Sequence, residues 1–394
     1  MLAMMNKTAE QASVFEQLEN TLQSDGIPAA LDKLESTLRD QKEYHLLFDA
    51  LILKKRYEME LPLVPRGKLT DLPDNLQREF EDHYVEMCRT VGDLYLEEGN
   101  IPHAWLYLNT ISEPQKVSDA INAISVDDVS EEVIDVAFQQ GANPRKGYEF
   151  ILSRYGTCSA ITVYEQLSQA DDATKGSCAQ LLLKQLHGDL IESLRRDIEN
   201  QEEKLPESRV ISELIEGRDW LFGEMSYHVD TSHLSSVVRI CRILKDPEDL
   251  QRVLELTHYG RRLSSHFQFP GEEPFEQTYE DYAVWYKTLL GESVDDGVKH
   301  FTDKLKEPSE EDAGYNPTAE VVLELLSRLG KIDQAIEVSL KYIEPGKTES
   351  NGETDLGALC RKVGNYQGLR DHSEKHGDLV NYAAAMVEQS RVES

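Results

Sequence analysis

Apolar residues recur at spacings of three and four through most of the chain, and alternating β-branched runs are few. The pattern therefore predicts an all-α protein. Helices are expected over residues 29–53, 75–97, 177–200, 249–264 and 317–329. Many are preceded by an Asp, Ser or Asn able to cap the first turn. Between them a short turn pattern recurs: Gly26-Ile27-Pro28-Ala29-Ala30, Gly99-Asn100-Ile101-Pro102-His103-Ala104, Gly330-Lys331-Ile332-Asp333-Gln334-Ala335 and Gly364-Asn365-Tyr366-Gln367-Gly368. In each, glycine can close one helix in a left-handed conformation and an apolar residue can pack into the corner. A small residue then lets the next helix approach closely, as in a helical hairpin.

The segment from Val91 to Trp105 carries the small residue Gly92, the aromatic Tyr95, the turn glycine Gly99 and the small residue Ala104 in one register. Gly330 and Gly364 lie 34 residues apart, and Gly357 precedes Gly364 by seven positions, as Gly92 precedes Gly99. These features resemble the tetratricopeptide repeat, most clearly over residues 88–118 and 316–375. Leu323 stands where that pattern has its first small residue, Leu369 replaces another, and the turn at Gly141 keeps only its glycine and Phe150. The resemblance implies an α-solenoid, a superhelix of antiparallel helical hairpins, with partner contacts along the inner helix of each hairpin. Here those would be the helices ending near Glu98 and Leu329.

Two interruptions divide the chain. A proline-bearing connector runs from Leu61 to Pro73, and an acidic loop flanked by prolines runs from Lys306 to Pro317. The expected segments are 1–72, 73–306 and 307–394. Within the second, residues 219–301 form a block rich in histidine and aromatic residues.

Charge narrows the class of partner. The 394 residues carry 73 acidic against 41 basic side chains, a formal net charge of −32. Such a field repels nucleic acid and anionic membranes and favours a basic protein or peptide. The basic clusters Lys54-Lys55-Arg56, Arg195-Arg196 and Arg261-Arg262 are short and separated. Five cysteines without a CxxC pair indicate neither a disulfide framework nor a zinc knuckle. Residues 1–7 hold no apolar run long enough for a signal sequence, so a cytoplasmic location is expected.

No GxSxG, HExxH or GxGxxG motif occurs, and no cofactor is expected. Pro345-Gly346-Lys347-Thr348 resembles the end of a phosphate loop, but Lys341 stands where its first glycine belongs. The densest chemistry lies between Trp220 and Phe301, which holds five of the eleven histidines. There, His228, Asp230 and His233 offer two imidazoles and a carboxylate within six residues, a donor set suited to a divalent metal. Glu224, His258 or His266 could add a ligand or a general base. The same residues also read as a helix cap followed by an apolar face of Leu234, Val237, Val238 and Cys241. The aromatic run Phe267, Phe269 and Phe275, followed by Tyr279, Tyr282, Trp285 and Tyr286, reads either as core or as the wall of a peptide groove. Three functions stand: a scaffold that binds a protein or peptide, a helical metal-dependent enzyme or sensor centred on residues 228–233, and a purely structural subunit of a larger assembly.

Overall fold

The computed structural model describes residues 2–64, 74–306, 316–343 and 355–392. The described residues form helices and no strands, and no helix among them is long and apolar enough to cross a membrane. The chain divides into two compact units, Met1–Gly156 and Thr157–Ser394. The division falls within the segment 73–306, where Gly156 (φ 79°, ψ 176°) interrupts a helix. Residues 65–73 of the proline-bearing connector, 307–315 of the acidic loop and the phosphate-loop look-alike at 345–348 lie outside the described residues.

Unit 1 contains α1 (Leu2–Asp40), α2 (Tyr44–Glu58), α3 (Asp74–Glu97), α4 (Ile101–Leu108), α5 (Pro114–Asn122), α6 (Glu131–Ile134) and the first part of α7 (Pro144–Glu165). From α1 to α5 each helix packs on the next. Gly92 on α3 is a close-approach site, because a Cβ there would lie 2.6 Å from Cγ of the buried Leu108 on α4. Around that crossing Val91, Tyr95, Ala104 and Trp105 are buried.

The run expected as one helix over 29–53 is two. Lys42 takes a positive φ of 57° between α1 and α2. Residues 39–43 are all polar, so no apolar stripe holds the helix through them, and Lys42 Nζ instead reaches Glu98 at 2.7 Å.

Three of the four expected turns close alike. At Gly99, Gly330 and Gly364, with φ of 71°, 70° and 71°, the glycine and the residue after it bond back to the last turn of the preceding helix. The second of these bonds runs from Asn100 N to Tyr95 O (2.8 Å), Lys331 N to Leu326 O (2.9 Å) and Asn365 N to Cys360 O (3.0 Å). This satisfies carbonyls that a helix end leaves unpaired, with a left-handed residue that glycine adopts without strain. Gly26 differs. Its φ of 85° comes with an extended ψ of −177°, and it kinks α1.

Unit 2 is built on α8 (Asp172–Glu202), whose buried face includes Leu182, Leu183, Leu186, Leu190 and Leu194. Against it pack α9 (Ile211–Ile215), α10 (Thr231–Ile240) and α11 (Pro247–Arg262). Two buried carboxylates tie α11 to α8: Gln180 Nε2 donates to Asp249 at 2.6 Å, and His187 Nε2 meets Glu255 at 2.9 Å. Then follow α12 (Thr278–Leu289), α13 (Val294–Thr302), α14 (Pro317–Arg328), α15 (Ile332–Tyr342), α16 (Leu356–Val363), α17 (Tyr366–His376) and α18 (Leu379–Val392), each packed on its predecessor from α12 onward. Trp285, Tyr286 and Tyr279 on α12 and Phe301 on α13 are fully buried rings at the start of this stretch.

Candidate functional site

Among the described residues, unit 2 holds a groove of about 720 Å³. One side comes from the end of α7 and the start of α8, through Tyr164, Glu165 and Lys175. Arg239 and Arg242 line it from the end of α10 and from the single 3-10 turn that follows it. A further wall is the loop 264–277, which contributes Phe269, Glu272, Glu273 and Phe275.

That wall is held at several points. Thr278 Oγ1 donates to Phe269 O at 2.8 Å, Gly271 N to Glu276 O at 3.1 Å, and Lys304 reaches both Pro274 O and Glu276. Glu273 accepts from Thr318 Oγ1 at 3.2 Å and pairs with Lys306 at 2.9 Å. A loop anchored by this many bonds presents a preformed surface, which lowers the ordering cost of binding.

Within the groove the aromatic rings are graded by exposure. Phe275 stacks on Tyr282 with centroids 4.1 Å apart and planes at 7°, and both are buried, whereas Phe269 is 43 % exposed. Burial pushes the Tyr282 hydroxyl up to about 12, so it stays protonated at neutral pH. The charges are balanced, with Lys175, Arg239 and Arg242 facing Glu165, Glu272 and Glu273. Arg239 and Glu165 pair at 2.6 Å but remain about half exposed. Such a pair contributes little stability and can be exchanged for a ligand's charges. Arg242 is more fixed, with Nε 3.3 Å from Glu324 and its guanidinium 5.9 Å from the Phe275 centroid.

Of the three residues read as metal donors, Asp230 and His228 are put to separate uses, and His233 enters with its backbone N–H. Asp230 caps α10: Oδ1 accepts from Ser232 N at 2.9 Å and His233 N at 3.0 Å. The bond from the Ser232 hydroxyl, together with these amides, holds its carboxyl below the usual range. His228, ahead of the cap, turns away to Asp197 and Tyr259, with Nε2 3.3 Å from Asp197 Oδ2 and Nδ1 2.9 Å from the Tyr259 hydroxyl. Among the described residues no set of three His, Cys, Asp or Glu side chains is placed to hold a metal ion. His258 lines a different cleft with Arg261 and Arg262. Of the two readings of residues 228–233, the cap is the one this geometry displays.

The His228 contacts carry a pH dependence. Its side chain is 4 % exposed, and burial lowers its pKa against the opposing pull of Asp197. An imidazole whose folded pKa is depressed takes up its proton first in the unfolded chain. It therefore costs no stability above the unfolded pKa of about 6.5 and destabilises as pH falls below that value toward the folded pKa. Urea midpoints of unit 2 should fall between pH 7 and pH 5, and His228→Gln should flatten that fall. An unchanged pH slope in the variant would remove His228 from the account.

Sequence reasoning reached Phe269, Phe275 and Tyr282 but missed Tyr164, Lys175, Arg239 and Arg242. The two arginines follow the apolar face of α10 three residues apart, the one local signal that they share a side of the chain. No family model, curated protein or solved structure matches the chain.

Proposed function

We propose that this chain is an interaction scaffold, built of tetratricopeptide-like helical hairpins, that grips a polypeptide segment in the groove of unit 2. One observation carries the reading. The groove pairs a preformed wall and an exposed aromatic ring with cations and carboxylates in equal number. A peptide offers apolar side chains, backbone amides and charges of both signs, and aromatic residues and arginine are the side chains that most often anchor such contacts. The repeated glycine closure and the packing of consecutive helices support the repeat-like reading. The net charge of −32 favours, at long range, a partner that is basic overall.

The test is selection of a displayed random-peptide library on the intact protein, followed by affinities of the enriched peptide for variants. Phe269→Ala and Arg242→Ala should each weaken binding by about tenfold or more, as truncation of an interface anchor does. His228→Gln should leave it unchanged. Failure to enrich any sequence, or enriched peptides indifferent to both groove variants, would overturn the proposal.

A further inference from the structure

Apart from the groove and the cleft at His258, unit 2 holds a smaller cavity, of about 440 Å³, whose lining is unusual. Three large side chains that would ordinarily be buried stand open around it: Trp220 is 44 % exposed, Tyr227 55 % and Met225 76 %. Neither Trp105 nor Trp285 shares this exposure. The fourth element is Asp197, reaching in from α8 with its carboxylate about half exposed.

Asp197 is oriented from behind by the buried His228. The Tyr259 hydroxyl accepts the His228 backbone N–H at 2.9 Å, which leaves its own proton for His228 Nδ1, also 2.9 Å away. With Nδ1 accepting, the neutral ring carries its proton on Nε2, which lies 3.3 Å from Asp197 Oδ2. A neutral donor fixes the carboxylate without cancelling its charge, so Asp197 keeps acceptor capacity on the cavity side. Aromatic faces beside an uncancelled carboxylate attract an organic cation, through the ring quadrupoles and through the charge. The same segment uses this chemistry internally, since the Arg262 guanidinium lies 4.6 Å from the centroid of the Phe222 ring.

We propose that Asp197, Trp220, Met225 and Tyr227 form a pocket for an alkylammonium group, its ligand class being a lysine side chain of a polypeptide, with an ammonium N–H donating to Asp197. The pocket goes beyond the groove reading and does not depend on it, because the two share no lining residue.

The probes are Nα-acetyl-lysine methylamide and its uncharged norleucine counterpart, titrated to about 10 mM. The readout is the indole N–H resonances of the three tryptophans. The lysine probe should shift the Trp220 resonance saturably and leave those of the buried Trp105 and Trp285 in place, which also reports an intact fold. The norleucine probe should bind about tenfold more weakly or not at all. Asp197→Asn should weaken the lysine probe by about tenfold, while Phe269→Ala in the groove leaves it unchanged. Equal shifts from the two probes, wild-type affinity in Asp197→Asn, or no saturable shift of Trp220 would each overturn the pocket.

Discussion

Trp285→Ala is expected to destabilise unit 2 by about 3–5 kcal/mol, the range for truncating a fully buried large aromatic ring. Trp285 is completely buried, edge-on to Phe301 at 5.7 Å and to Phe275 at 5.8 Å, and 5.9 Å from the Arg328 guanidinium. Its indole N–H finds no acceptor among the described residues, so the expected loss comes from packing and the cavity left behind. Trp285→Phe, which keeps most of the ring, should accordingly cost well under half as much. Urea titration followed by far-ultraviolet circular dichroism reads both. Because the chain has two compact units, the loss should appear as an earlier transition of one part of the signal. The alanine variant should also weaken the groove, since Phe275 is both a neighbour of Trp285 and a lining residue. A loss below about 1 kcal/mol for the alanine variant would mean that this aromatic centre is not the core it is taken for.

What could be read in advance divides along physical lines. Turn glycines were legible because a left-handed residue that ends a helix strongly favours one residue type, and Gly99, Gly330 and Gly364 all adopt that conformation. Gly92 was legible for a related reason, since close approach of α4 leaves room for no side chain. Lys42 shows the opposite case. A left-handed lysine carries no mark of its own, so the break between α1 and α2 shows in the sequence only as the polar run 39–43. At residues 228–233 both readings were visible, but the place where His228 turns was not, because Asp197 and Tyr259 are each about thirty residues away in sequence. The groove was half legible. Its aromatic wall is one continuous stretch, whereas Lys175 and Arg242 come from separate helices and, as isolated basic residues, look like any solvated position until the fold brings them together.

Arg328→Leu should destabilise unit 2 by about 3 kcal/mol and impair the groove beyond what that loss explains. Arg328 is the last residue of α14, and its Nη1 donates to Arg242 O at 2.6 Å while Nη2 donates to Leu244 O. These carbonyls belong to the segment that closes α10, and a leucine would leave both without that donor. Each lost charge-assisted bond to these half-buried carbonyls costs about 1.5–3 kcal/mol, partly offset by the better burial of leucine. Burial lowers the pKa of Arg328 against the pull of Glu324, yet a guanidinium remains charged under all ordinary conditions. Glu324 is shared: it lies 3.3 Å from Arg328 Nη1 and 3.3 Å from Arg242 Nε. Removing Arg328 therefore frees the backbone of Arg242 while leaving its side chain held by Glu324, which displaces a groove cation without deleting it. Arg328→Lys keeps the charge but cannot span two carbonyls, so it should recover only part of the stability. Binding of the selected peptide, measured where each variant is fully folded, should weaken in Arg328→Leu and recover partly in Arg328→Lys. Leucine and lysine variants of equal stability would show that the pair of hydrogen bonds to Arg242 and Leu244 is not what holds this segment, and this part of the groove would then need another support.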